Sequence, residues 1–240
     1  MPDEDDMALD LAAEVGPFFV LDRWIADAGW RPLTELIDRP DVLAERVTTA
    51  RSMLAERSRV PVDEIEERAT ASIVFLGLAA RLVSPAFAAA ALADRVPDLH
   101  LDALWWQPVT GGPWPLARSA TDGSRATGDL AEDLDTRVLV DLVAPVLEAF
   151  GRTFGISSQV LWGNVTSSLA GALAMLRTAR PDRAAIATQL VTQLLEHGTL
   201  TGTGDLTGPT FVRRSCCLFY RVPGAGICGD CVLDEAPTPA

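Results

Sequence analysis

All four cysteines of this 240-residue chain fall between positions 216 and 231, within the run RRSCCLFYRVPGAGICGDC. Cys216 and Cys217 are adjacent, ten residues follow, and Cys228 and Cys231 then enclose a pair of residues. A segment that gathers every thiol of a chain folds under a local constraint: its backbone must present the sulfurs to one another or to a shared ligand. The rest of the chain is free of that constraint and must be stable through an ordinary core. Its length leaves room for one large domain or two small ones, and 48% hydrophobic against 22% charged residues is a globular composition.

Charge narrows the classes of function. The net charge of −13 repels nucleic acid and anionic membrane surfaces, so neither is expected as a partner. All 20 basic residues are arginine, which excludes lysine Schiff-base chemistry and a P-loop lysine. His100 and His197 are far apart, which argues against a histidine-built metal site. The start, MPDEDDMALD, is acidic where a signal peptide is basic. The most apolar stretch, from Ala71 to Ala93, is expected to be broken by Arg81 and by Ser84-Pro85, short of membrane-spanning length. A cytoplasmic protein without stable membrane insertion is the expectation. That compartment keeps thiols reduced, so metal ligation is favoured over two disulfides.

Periodicity predicts a mainly α protein with a few short strands, an α+β arrangement of helical body and small C-terminal lobe. Residues 1–208 read as the body and 209–240 as the cysteine segment. Helices are expected from Asp41, from Asp63 and, capped by Ser84 with Pro85 at its first position, through AFAAAALADRV. Residues near 98–127, with Trp105, Trp106 and Trp114, read as short strands and a long loop. Helix resumes after residue 129 with a kink or restart at Pro145. Ser157 caps the next helix, and the one after Pro181-Asp182 is expected to end at Gly198. TLTGTGDLTGP reads as loop, and TFVRRSCCLFYRV as a strand entering the cysteine segment.

GAGICG (Gly224, Gly226, Gly229) matches the dinucleotide-binding glycine pattern, but eleven residues remain after Gly229 and no βαβ unit fits there. The glycines read instead as a tight loop around something bulky. C-x2-C is a bidentate clamp that suits zinc or an iron–sulfur cluster once a second pair completes it. Adjacent cysteines cannot form the knuckle of a zinc ribbon, and in a strand they point to opposite faces. If both are ligands, the backbone bends there or the centre is wide enough to be met from two sides. That favours a two-iron cluster over a single zinc ion; a structural zinc site, a redox disulfide pair and a purely structural cluster are the alternatives.

The spacing C-C-x10-C-x2-C resembles that of the FhuF-type ferric siderophore reductases, a family with a [2Fe–2S] cluster on this pattern. LWGN, Leu161 to Asn164, resembles the family's Trp-Gly-Asn signature. By this resemblance Cys216, Cys217, Cys228 and Cys231 ligate the cluster. The activity implied is one-electron reduction of a ferric siderophore in the cytoplasm, with electrons from an external donor such as a ferredoxin. An iron–sulfur sensor or electron-transfer module is the rival. A relative of the siderophore-synthetase C-terminal domain is a weaker one, since the chain has neither that enzyme's large nucleotide-binding portion nor a lysine.

Arg213, Arg214 and Arg221 read as a positive patch beside the cluster that steers an anionic partner and favours the reduced state, or as solvated hairpin charges. Asn164 and Trp162 read either as contacts to the cysteine loop or as helix–helix packing. Phe219 and Tyr220 are expected to shield the cluster. The three tryptophans of the irregular segment line a siderophore basin or lie in the core. The charge pattern leaves the sign of the substrate open: the acidic body favours a cationic or neutral complex, the arginines an anionic one.

Overall fold

The computed structural model describes residues 3–26, 28–119 and 128–237. Its centre is one long helix, α4 (Glu67–Ala93), with the other elements packed around it. Before it come α1 (Glu4–Ala13), α2 (Glu35–Asp38) and α3 (Pro40–Ser58); after it come α5 (Leu130–Asp133), α6 (Ala144–Phe154), α7 (Ser158–Ala179) and α8 (Ala184–Glu196). The chain is mainly α, as its periodicity predicts. The most extensive contact in the molecule is α4 against α7, and α1 covers another side of α4.

The expected break at Ser84-Pro85 does not occur. Helix α4 runs through Pro85, and Ser84 and Pro85 are both buried inside it. A mid-helix proline removes one ladder hydrogen bond, but here the flanking residues Leu82, Val83, Ala86 and Phe87 are all in the core. Tertiary packing of an apolar helix outweighs one lost bond. Arg81 does not break the helix either. Its guanidinium, almost wholly buried, donates to the carbonyls of Trp114 (2.6 Å), Pro17 (2.8 Å) and Val20 (2.5 Å). Burial lowers its pKa to about 10, so it remains a cation and ties irregular segments to α4. By length and composition α4 is the one described helix able to cross a membrane, yet 78% of its most apolar window is buried inside the fold.

Other boundaries follow local chemistry. Ser157 caps α7 and accepts the Val160 N–H. Before Pro145 the chain winds as a π-helix from Leu134 to Val143, with the Ala144 N–H bonded to the Leu139 carbonyl, and α6 restarts at Ala144 with Pro145 in its first turn. The wider π register carries the chain up to a proline that could not continue an α ladder. Helix α8 ends at Glu196, short of the expected Gly198.

Strands β1 (Asp22–Arg23), β2 (Arg31–Pro32), β3 (Leu104–Trp106) and β4 (Leu116–Arg118) form a small sheet ordered β1-β4-β3-β2, with β1 parallel to β4 and the other pairs antiparallel. Pro32 sits on its edge strand β2, where a missing N–H is tolerated. Part of the irregular segment read near 98–127, residues 120–127, lies outside the described residues.

The stretch TLTGTGDLTGP, read as loop, holds a strand. β5 (Gly204–Thr207) pairs antiparallel with β6 (Thr210–Arg213) in the register Gly204↔Arg213 to Thr207↔Thr210. The two-residue turn between them has Gly208 at φ 60°, the glycine-favouring conformation that hairpins of this length use. This hairpin straddles position 208, where the sequence divides body from cysteine segment. The segment therefore enters the body through its own strand pair.

Candidate metal centre

Strand β6 ends at Arg213, and the cysteines follow where the chain has left the sheet. The bend that adjacent cysteine ligands require is present. Leu218 adopts a left-handed conformation, φ 67°, unusual for a residue with a branched side chain. It leads into a 3-10 turn, Phe219–Arg221, in place of the expected strand. Gly224 and Gly226, at φ 77° and 70°, carry the return, where other residues would be strained.

The sulfurs approach one another without a disulfide. All four cysteines are free, and the Cys217 and Cys228 Sγ atoms stand 3.4 Å apart. Each pair carries the same backbone device: the Leu218 N–H points at Cys216 Sγ and the Leu233 N–H at Cys231 Sγ, both at 3.4 Å. The Cys231 N–H closes the C-x2-C turn on the Cys228 carbonyl. Amide donors to sulfur stabilise added negative charge and help set the potential of a metal–thiolate centre. Burial pushes the thiols of Cys216 and Cys228 up, and contact with Cys217 adds to the effect at Cys228. Thiolates here need a positive centre, which ferric ions supply.

Among the described residues no three His, Cys, Asp or Glu side chains form a ready-made metal site, and a single tetrahedral ion would need four donors facing one point. A two-iron cluster instead takes its four thiolates in two pairs. Four free thiols on a bent segment, two of them already in sulfur–sulfur contact, fit that donor set.

The surroundings tie this segment to the helical body. Arg213 is 1% exposed and points inward, where its Nη2 donates to Asn164 Oδ1 at 2.7 Å. Asn164, fully buried, donates from Nδ2 to both the carbonyl (3.0 Å) and the hydroxyl (2.9 Å) of Ser72 on α4. The Arg213 N–H bonds the Asp230 carbonyl at 3.1 Å, and its Nε lies 3.8 Å from Asp230 Oδ2. So Arg213 and Asn164 together join α4, α7 and both arms of the cysteine loop. Gly163 matters for the same reason: a Cβ there would collide with the Ser215 hydroxyl and touch the Arg213 guanidinium. Within Trp-Gly-Asn, the glycine lets β6 approach α7 and the asparagine holds it. Trp162 is half-buried and packs against the helical core, which is helix packing.

The three arginines do not form one free positive patch, and that expectation is corrected in its geometry. Arg213 is inside. Arg214 makes two hydrogen bonds to Asp205 across the hairpin, at 2.8 and 2.6 Å. Arg221 reaches Glu66, just before α4, at 2.9 Å to each carboxylate oxygen. Both exposed arginines are neutralised: Arg214 by a carboxylate on the neighbouring strand of its own hairpin, and Arg221 by one 155 residues away that spacing along the segment gave no sign of. Ser72, Gly163, Glu66 and Asp205 were not singled out from sequence. Gly163 alone carried a signal, through its place in the tripeptide.

Of the tryptophans, Trp106 and Trp114 are buried, and Trp105 stacks on Trp24 at 4.8 Å. Trp114 also borders a cavity of about 360 Å³ between α3, α4 and the segment 110–114. A second cavity, about 490 Å³, is lined by Phe219 and Val222–Ala225 of the cysteine segment and by Leu54, Arg57 and Ser58 of α3. Phe219 is thus set against α3 and lines an opening, two residues beyond Cys217.

In comparisons with known proteins, residues 213–233 match the family model described as the FhuF 2Fe-2S C-terminal domain. No curated protein matches the chain. The matched stretch begins at the buried arginine, contains all four cysteines and ends at Leu233, whose amide faces Cys231. Residues 213–233 of this chain are therefore a FhuF-type 2Fe-2S C-terminal domain, and the cofactor of that domain is a [2Fe–2S] cluster.

Proposed function

We propose that this protein is a ferric siderophore reductase of the cytoplasm, with Cys216, Cys217, Cys228 and Cys231 as the ligands of its cluster. A [2Fe–2S] cluster held by these four cysteines would supply one-electron chemistry between an external donor, such as a ferredoxin, and iron(III), which would become iron(II). Hydroxamate and catecholate oxygens hold iron(III) tightly and iron(II) weakly, so one electron frees the metal and leaves the chelator intact. The transfer needs no general acid or base.

The protein's own residues bind, position and shield. The amides of Leu218 and Leu233 are placed to offset charge on Cys216 and Cys231. Arg213 contributes a buried cation behind the cysteines, held by Asn164, and so favours the more negative, reduced state. The cysteine segment sits at the edge of the helical body, with Cys216, Cys228 and Cys231 partly exposed. A partly exposed centre suits a carrier that meets donor and acceptor in turn.

The observation that carries this reading is the four-cysteine domain matched over residues 213–233. The experiment is anaerobic: reduce the purified protein, mix it with ferric hydroxamate, catecholate and citrate complexes, and trap iron(II). Reoxidation with one iron(II) captured per electron supports the reductase. If none of the complexes reoxidises the protein, the reductase assignment fails and a sensor takes its place.

A further inference from the structure

Two cavities in this fold share part of their walls. Leu54 and Arg57 of α3 line both the cavity beneath Trp114 and the one beside Phe219. The pair, here the trough, has Trp114 in the lining of one cavity and residues of the cysteine segment in the lining of the other. Each part, about 360 and 490 Å³, lies within the range of small-molecule sites.

The lining is selective. The cavity at Trp114 is walled mostly by apolar groups, among them Phe18, Ile73 and Val74 of the body. Its charges are Arg46 and Arg57, and no carboxylate lines either cavity among the described residues. In a chain of net charge −13, that is a local reversal of sign. Arg46 is held in place: its Nη1 donates to the Val109 carbonyl at 2.5 Å, and its guanidinium lies 4.8 Å from the Trp114 ring centroid and 6.0 Å from that of Trp106. Its Nε is buried without a hydrogen-bond partner. Arg57 is exposed and has no ion-pair partner among the described residues, unlike Arg214 and Arg221. A fixed cation and a free one, set in an apolar wall, match a ligand with an apolar or aromatic body and negative charge.

Resting on the reductase reading, we infer that this trough is the substrate site and that it takes anionic ferric chelates with aromatic or other apolar bodies, catecholate complexes first. The chelate lies along α3 between Arg46 and Arg57, one end on Trp114 and the other against Phe219. A reduced cluster held by the cysteines would supply the single electron to its iron(III); iron(II) would be the product, and the external donor would restore the electron.

The test separates binding from reduction by using gallium(III), which fills the same chelators and accepts no electron under these conditions. Gallium complexes of a tris-catecholate (anionic), a neutral tris-hydroxamate and a cationic tris-hydroxamate are titrated into the anaerobic holoprotein, followed by tryptophan fluorescence with Trp114→Phe as the control for the signal. The anionic complex is expected to bind roughly tenfold or more tightly than the cationic one. Arg57→Glu is expected to weaken the anionic complex by about tenfold, while Arg57→Lys largely retains it. Arg57 is exposed, so circular dichroism should show the Glu variant folded. Equal affinities, a preference for the cationic complex, or no effect of Arg57→Glu overturns the trough. The iron counterparts test the parent reading separately. Iron(II) release without any charge preference leaves the reductase standing and removes the trough. Arg57-dependent binding of gallium catecholate, with no reoxidation by the iron form, does the reverse.

Discussion

Asn164→Ala should damage this protein far beyond the loss of one small side chain. The residue is fully buried and makes its bonds in two directions. Its Oδ1 accepts the Arg213 guanidinium at 2.7 Å, and a hydrogen bond from a charged donor contributes about 1.5–3 kcal/mol. Its Nδ2 bonds to Ser72 contribute roughly 1 kcal/mol more. Arg213 has no substitute: its Nε and Nη1 already lack hydrogen-bond partners. Truncation then leaves the buried guanidinium without a side-chain hydrogen bond, with only the 3.8 Å ion pair to Asp230 remaining, and the expected loss is about 2–4 kcal/mol. The assay is urea unfolding of the anaerobic protein by far-UV circular dichroism, comparing midpoints at unchanged slope. A double-mutant cycle with Arg213→Met isolates the pair, with an expected coupling of about 1.5–3 kcal/mol. A single-variant loss under about 0.5 kcal/mol, or strict additivity of the two variants, would refute the claim that this bond anchors the cysteine segment.

Three further outcomes follow from the same geometry. Cys231→Ser should yield protein without the normal cluster spectrum, and an unaltered visible spectrum would remove Cys231 from the ligand set. Gly163→Ala places a Cβ against Ser215, so it should destabilise by about 1–3 kcal/mol and speed cluster loss to a chelator; Gly171→Ala, on the same helix with open space around it, should do neither. The Asp6 N–H donates to the Asp3 carboxylate, and Arg118 lies beside it, so Asp3 titrates below its ordinary 3.8. A depressed folded pKa gives stability that is present above the ordinary value and lost as pH falls through the folded one. Exchange protection of the Asp6 amide should therefore fall at acid pH in the parent, while Asp3→Ala shows weak protection at every pH.

The parts of this fold that could be read from sequence are those set by neighbours along the chain. Four cysteines in sixteen residues announce a metal centre because C-x2-C is itself a geometric statement. Ser157 at a helix start works the same way: cap and capped amide are three residues apart. The misreadings share one cause. Ser84-Pro85 has the local form of a helix start, and only the apolar core around α4 makes it mid-helix. TLTGTGDLTGP looks like loop by composition; the pairing of β5 with β6 and the Gly208 turn show otherwise. The arginines of the cysteine segment look like a patch until Glu66, 155 residues from Arg221, comes back to meet it. Likewise the link from Arg213 through Asn164 to Ser72 spans separations of 49 and 92 residues. No local pattern encodes contacts of that range; they exist only after α4, α7 and the hairpin have packed.

Iron, acid-labile sulfide and zinc should be counted in protein purified without oxygen. About two irons and two sulfides per chain are expected, with a reducible visible spectrum. A colourless protein holding one zinc per chain and no sulfide would contradict that expectation.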